Sequence, residues 1–354
     1  MAAFDIKKLL QSVVTHGASD LHLVSRTEPQ IRLDGILKPV NLPKLTGEDI
    51  EEMCYSLITE KQKQHYEEYN ELDFALLIPG IGRFRANYYR TLGDAAAAFR
   101  IIPIDVPSLD DLGSPLVYKE LIKREKGLIL VTGPTGSGKS TTLAAMLNEI
   151  NLNEQKHIIT VEDPVEFIHQ NKKSVFSHRG VGEDTATFAK ALKFAMRQDP
   201  DIILIGEMRD KETIEAGLTA AETGHLVFAT LHTSSAPGTI NRIIDVFTGD
   251  EQPQIRAMIA SSLVAVIAQA LLPKLGGGRV AASEILITNH AISNLIREDK
   301  VHQIYSQMQI GQGDSGMQTQ TQALIKFLND GKISRDTAIQ YANRPEEVSK
   351  AIMR

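Results

Sequence analysis

Residues Gly133-Pro134-Thr135-Gly136-Ser137-Gly138-Lys139-Ser140 match the phosphate-binding pattern Gly-x-x-x-x-Gly-Lys-Ser/Thr at every fixed position. An apolar run, residues 127–132, precedes them, and a stretch with helical character, Thr141 to Asn148, follows. Strand, glycine loop and helix in that order form the context in which this pattern holds a triphosphate. The glycines let the backbone curl so that its N–H groups point inward, and the start of the helix adds partial positive charge. Lys139 is then placed to reach the β- and γ-phosphates, and the Ser140 hydroxyl to ligate Mg²⁺. The alternative is a glycine-rich turn with no ligand. The expected ligand is ATP with Mg²⁺, bound by residues 133–141.

The chain has 354 residues, enough for two domains with separate cores. It carries 44 acidic against 38 basic residues, which argues against a dedicated nucleic-acid binder. The single cysteine, Cys54, excludes an internal disulfide and any four-cysteine zinc site, and suits a reducing cytoplasm. The N-terminus has an early acid and no long apolar core, so no secretory signal is expected. The most apolar stretch, Ala257 to Leu272, contains Ser261, Ser262 and Gln269 and is short for a bilayer. It reads as a buried helix, so any membrane association would run through a protein partner.

Phe4, Ile6, Leu9, Leu10 and Val13 recur at helical spacing over residues 4–14. Short alternating runs at 21–24, 30–33 and 35–40 read as strands, with a turn at Asp34-Gly35. A helix is expected from Thr46 past Ile58, then strands near 73–77, 82–89 and 95–102. Pro103, Pro107 and Pro115 crowd the next segment and mark a linker. Beyond it, strands at 127–132, 157–161, 202–206 and 226–231 alternate with helices at 139–151, 185–198 and 211–223. That alternation predicts a parallel, three-layer α/β core. After Asp250 the chain reads as mostly helical with one strand at 280–287, and 311–316 reads as a loop. The expected domains are 1–102, a linker 103–115, an ATPase core 116–272 and a mostly helical region 273–354.

In an open parallel sheet, ligands sit outside the carboxyl ends of the strands. The strand at 157–161 ends in Glu162-Asp163-Pro-Val-Glu166, the strand at 202–206 in Glu207, and the strand at 226–231 in His232. Hydrolysis needs a carboxylate to position water or accept its proton, and Glu162, Asp163, Glu166 and Glu207 are all candidates. Each is alternatively a helix cap or a solvated acid. His225 and His232 lie at opposite ends of one strand, roughly 23 Å apart at about 3.3 Å per residue. His232 is at the nucleotide edge, and His225 reads as a packing histidine. Arg83, Arg85, Arg90 and Arg100 lie on N-terminal strands, either as solvated charges or as donors to a neighbouring subunit's phosphates. Lys172, Lys173 and Arg179 read as solvated charges.

Together these motifs resemble the secretion-type hexameric ATPases, most closely the retraction motors of type IV pili. The resemblance spans nearly the whole chain. It rests on Gly17-Ala-Ser-Asp-Leu-His-Leu23, the phosphate loop, the acidic box 161–166, the segment Asp199 to Asp210 and the histidine box 223–233. It implies a PAS-like N-terminal domain, a RecA-like P-loop ATPase domain with a helical C-terminal region, and a homo-hexamer. Glu166 then matches the catalytic glutamate, Glu207 an atypical Walker B acid and His232 a γ-phosphate contact. Arg85 and Arg100 match arginines supplied across the subunit boundary. The implied partners are an inner-membrane pilus platform protein and, indirectly, pilin, with cytoplasmic, peripheral placement and no nucleic acid. Extension and secretion relatives usually carry an extra N-terminal domain and a four-cysteine insertion, which this sequence lacks. The segment Ala291 to Glu298 resembles the retraction motif Ala-Ile-Arg-Asn-Leu-Ile-Arg-Glu, with Ser293 in place of Arg. An accessory subunit with little hydrolysis, or a nucleic-acid translocase, are the alternative functions.

Overall fold

The computed structural model describes residues 5–33, 35–103, 105–310 and 316–353. Phe4, Asp34 and residues 311–315 lie outside that set, so the first residue of the expected N-terminal helix, the Asp34-Gly35 turn and the 311–316 loop are not described in full. The chain divides into two compact units, Met1–Asp105 with Pro164–Ile168, and Val106–Asp163 with His169–Arg354.

The first unit opens with α1 (Ile6–Thr15), whose start is capped by the Asp5 carboxylate accepting the Lys7 N–H. Helix α1 buries Ile6, Leu9, Leu10 and Val13, the face its spacing predicts. Strands β1 (Asp20–Leu23), β2 (Gln30–Leu33) and β3 (Ile36–Pro39) follow, then α2 (Gly47–Tyr55) and α3 (Glu60–Tyr69). Strands β4 (Glu71–Ile78), β5 (Gly82–Thr91) and β6 (Asp94–Ile102) complete one sheet in the order β3-β2-β1-β6-β5-β4. The single helix expected from Thr46 past Ile58 is thus two. Thr46 with Asp49, and Thr59 with Gln62, form capping boxes that start separate helices. Helix α3 escapes periodicity because Tyr66 is its only fully buried residue. Tyr66 joins a core in which Phe74, Tyr88 and Phe99 meet edge to face, with centroids 5.2 and 5.8 Å apart about Tyr88.

Between β6 and the second unit's first helix, no described residue is in a helix or strand. That unit runs α4 (Val117–Leu121), β7 (Gly127–Thr132), α5 (Lys139–Asn153), β8 (His157–Glu162), β9 (Val175–Gly180), α6 (Phe188–Ala195), β10 (Ile202–Ile205), α7 (Lys211–Glu222) and β11 (Leu226–Leu231). It continues with α8 (Ala236–Ile244), α9 (Gln252–Ser262), β12 (Leu263–Pro273), β13 (Arg279–Ile287), α10 (His290–Arg297) and α11 (Ile304–Ile310). Helices α12 (Gln320–Asn329), α13 (Arg335–Gln340) and α14 (Pro345–Ile352) end it. The seven-stranded sheet has the order β13-β12-β7-β11-β10-β8-β9, parallel except for β13 at one edge. Every residue of β7 and β11 is buried, as a sheet covered on both faces requires. In β7, Leu128 and Leu130 join the core that includes Leu192, Leu218 and Ile259, while Ile129 and Val131 join that of Tyr118, Leu143 and Leu147. These are the outer layers of a three-layer α/β fold.

Two strands differ from expectation. The apolar stretch Ala257 to Leu272, read as one buried helix, is the end of α9 followed by β12. A run apolar on all sides cannot distinguish a buried helix from a buried strand. Because β12 and β13 share the sheet, the sheet reaches Ile287, beyond the expected core boundary at 272. Strand β9 was not expected, because it is short, half-buried and mostly polar. In α10, Ile292 and Ile296 are buried, and the Ser293 hydroxyl donates to the Ala260 carbonyl at 2.9 Å. Serine at this position therefore ties α10 to α9.

Glu284 on β13 is 2% exposed and holds two helix starts. Its carboxylate accepts the Ala236 N–H at 2.8 Å, at the first residue of α8, and a backbone bond from Gln320, the first residue of α12. Burial pushes its pKa up more than these bonds pull it down, so the net shift is upward. A glutamate with a raised native pKa binds more protons folded than unfolded, so its contribution falls as pH rises above the ordinary carboxylate range. Glu284→Gln should flatten that part of the stability curve, seen as a difference in melting temperature against pH between variant and parent. An unchanged slope would place the titration elsewhere.

Candidate active site

The phosphate loop has the geometry its sequence requires. Gly133, Gly136 and Gly138 have φ of +144°, +79° and +88°. A Cβ on Gly133 would collide with the Gln269 carbonyl and the Ser137 hydroxyl, and one on Gly138 with the Gln269 amide. Helix α5 starts at Lys139 with no side-chain cap, so its first N–H groups face the loop's mouth. Lys139 is 9% exposed, and its Nζ donates to the Gly133 and Pro134 carbonyls at 2.9 and 3.1 Å. The Ser137 hydroxyl is buried with no hydrogen-bond partner among the described residues. Positive-φ glycines, an uncapped helix start and a buried ammonium fit a polyphosphate. Among the described residues no group of three or more His, Cys, Asp or Glu could hold a metal. Ser140 in the first turn of α5 is the expected metal ligand, and a cation there would rely on phosphate oxygens and water.

Residues carried to the carboxyl ends of neighbouring strands include four of the expected side chains. Glu162 ends β8 and is 9% exposed, and Asp163 follows it exposed. Just beyond β10, Glu207 accepts from Arg209 Nε at 2.5 Å and lies 3.1 Å from His232 Nε2, which follows β11. Burial raises the Glu207 pKa, but the bonds and charges of Arg209 and His232 outweigh it and hold the carboxyl below its ordinary value. The contribution of these bonds is lost only as pH falls through that lowered value, so Glu207 is ionised at neutral pH. It is a fixed charge and a weak proton acceptor. His225 sits at the opposite end of β11, with Nδ1 2.9 Å from the Ala220 carbonyl, in the packing role expected of it.

Glu166 lies on a segment, Pro164–Ile168, that belongs to the N-terminal unit, whereas the phosphate loop belongs to the other. It is exposed, on a stretch without helix or strand. Arg83, one of the arginines read as a solvated charge or a phosphate donor, is not solvated. It is 6% exposed and its guanidinium donates to the carbonyls of Val165 and of Glu166, the latter at 2.6 Å. Arg85 and Arg100 are exposed and directly opposite each other across β5 and β6. Arg85 pairs with Asp73 through two bonds, of 3.1 and 2.6 Å, and Arg100 pairs with Asp20 at 2.7 Å. Both side chains are partly exposed, at 48% and 69%.

Sequence reasoning missed the groups that hold the loops. Gln269 on β12 is 4% exposed, and its amide donates to the Ser137 carbonyl at 2.8 Å while its oxygen accepts from the Thr142 hydroxyl at 3.0 Å. It braces both ends of the turn into α5. Its only signal in the sequence is a lone amide in an apolar run. Thr239 links the Thr233 and Thr132 hydroxyls at 2.7 and 3.4 Å, and Asn343 donates to the Ser234 carbonyl at 2.7 Å, so the loop after His232 is tied on two sides. Gln269→Leu would leave the Ser137 carbonyl without this donor, at about 1–3 kcal/mol for a buried group. Nucleotide affinity, read by fluorescent-nucleotide titration, should weaken about tenfold or more, since ~1.4 kcal/mol is one decade. Affinity equal to the parent's would show that the loop keeps its shape unaided.

The chain is similar to known proteins over most of its length. The family described as type II/IV secretion system protein matches residues 2–277. The type IV pilus retraction ATPase PilT of Pseudomonas aeruginosa is 50% identical over 342 residues, covering 97% of this chain and 99% of the relative. A twitching motility protein of Neisseria gonorrhoeae is 46% identical, covering 98% and 93%. A crystal structure of the pilus retraction motor PilT with bound ADP superposes with a TM-score of 0.91 at 47% identity, covering 98% of this chain and 99% of that one. The chain is an ATPase that belongs to the type II/IV secretion system protein family.

Proposed function

We propose that this chain is the subunit of a homo-hexameric, Mg²⁺-dependent motor that couples ATP hydrolysis to pilus retraction by depolymerising pilin. The observation that carries the reading is the 50% identity to a pilus retraction ATPase over 97% of the chain. Mg²⁺ would neutralise phosphate charge as the β–γ bond breaks. The chain's own residues do the rest. The amides of residues 133–141 and Lys139 hold the β- and γ-phosphates, and Ser140 presents its hydroxyl to the cation. Glu166 orients the attacking water and takes its proton. Glu207 stays ionised and holds His232 toward the γ-phosphate. Glu162 and Asp163 contribute charge at the same strand end.

Arg85 and Arg100 act on the nucleotide of a neighbouring subunit, and the ring works in the cytoplasm against an inner-membrane platform protein. No described helix is long and apolar enough to cross a membrane, which supports attachment through that partner. Residues 103–115 serve as the hinge.

The assembly is testable by mixing. Glu166→Gln and Arg100→Ala should each lower turnover by about 100-fold alone. Mixed rings should regain partial activity, because some interfaces then pair an intact arginine with an intact glutamate. Turnover per subunit should also rise with protein concentration as rings form. Verified mixed rings without rescue, and turnover flat with concentration, would sink the trans-acting role.

A further inference from the structure

The segment Pro164–Ile168 leaves the ATPase unit's sheet at β8 and returns to that unit at His169, yet packs as part of the N-terminal unit. No helix or strand fixes it. Its return end is tied within the ATPase unit, where the His169 N–H donates to His178 Nε2 at 3.1 Å and Asn151 donates to the Gln170 carbonyl at 2.8 Å. Between these limits Arg83 anchors it, one guanidinium N–H donating to the Val165 carbonyl and another to the Glu166 carbonyl.

Arginine suits this task for a geometric reason. Two consecutive carbonyls present two acceptors at a fixed spacing, and a planar guanidinium offers two diverging N–H groups to meet them. An ammonium is a single point and meets such a pair less well. Arg83 is also fixed at its other end, on β5, where it pairs with Leu77 on one side and Ile102 on the other. The backbone that carries the Glu166 side chain is therefore held by a residue of the N-terminal sheet.

We infer that Arg83 is a positioning residue that fixes the Glu166 backbone, and with it the proposed base, to the sheet of the N-terminal unit. The inference rests on the reading of Glu166 as the hydrolytic carboxylate.

The test is a double-mutant cycle in the full-length protein. Arg83→Met and Arg83→Lys are each made in the parent and in Glu166→Gln, and kcat, KM and affinity for a fluorescent ADP analogue are measured. In the parent, Arg83→Met should lower kcat by about 30-fold or more, with KM and ADP affinity within about twofold, and Arg83→Lys should recover part of the loss. In the Glu166→Gln background, Arg83→Met should cost less than about twofold further, because the group it positions is already disabled. An equal fold-loss in both backgrounds, or a parallel loss of ADP affinity, overturns the positioning role. If Arg83→Met does not fold, the same comparison is made with Arg83→Lys, which keeps the buried charge. If Glu166→Gln itself turns over like the parent, the base assignment fails and this inference with it. That result differs from a crippled Glu166→Gln combined with additive losses, which overturns the Arg83 role alone.

Discussion

A buried amide holds open the loop on which the rest of this site depends. Backbone N–H groups can face a phosphate only if the turn that carries them does not collapse onto its own carbonyls. Gln269 reaches in from β12 and occupies both a carbonyl and a hydroxyl at the base of that turn. It can do so because β12 runs parallel to β7, with Ala268 registered opposite Thr132, the last residue before the loop. The same closeness makes Gly133 and Gly138 obligatory, since a Cβ at either would strike Gln269. The glycine pattern, the strand order and the amide are thus one constraint expressed in three places. A sheet with β12 elsewhere would leave the loop unsupported, whatever its sequence.

The charges at the strand ends divide their work by environment. Glu207 lies between a guanidinium and an imidazole and is held ionised, which suits electrostatic support and unsuits it for accepting a proton. His232 is in turn held on a loop fixed by Thr239 and Asn343 and leads into α8, whose first amide is bound by Glu284. Glu284 also binds the start of α12, so the helical C-terminal region and the histidine loop share one buried carboxylate. Positions of this kind, far along the chain and polar in an apolar setting, hold geometry and do no chemistry.

Most of the fold was legible because its signals are local. The phosphate loop is contiguous, strands β7 and β11 are bounded by polar ends, and α1 has a clean helical stripe. The parts that were not legible depend on partners remote in sequence. Strand β12 looks like a helix until its neighbours are known, and β9 is a strand only because β8 offers it an edge. Arg83 shows the same limit within the site. Its residue type says that it is charged, but only the fold brings the carbonyls of residues 165 and 166 to it and makes burial tolerable. Glu166 was nameable from the sequence through the acidic box, while its membership of the N-terminal unit was not.

The N-terminal sheet carries a further electrostatic pattern that bears on the role proposed for Arg85 and Arg100. Arg32, Asp20, Arg100 and Arg85 sit at directly paired positions across β2, β1, β6 and β5, and Asp73 on β4 bonds diagonally to Arg85. Along this row the charges run plus, minus, plus, plus, minus. Two like charges directly opposite on antiparallel strands are destabilising. Unit charges 4 Å apart interact by about 1 kcal/mol even at the dielectric constant of water. Asp20 and Asp73 relieve that repulsion from the outer sides. A doubled positive step gains most from an anion placed between the two guanidinium groups, which is the chemistry that a neighbouring subunit's triphosphate would supply.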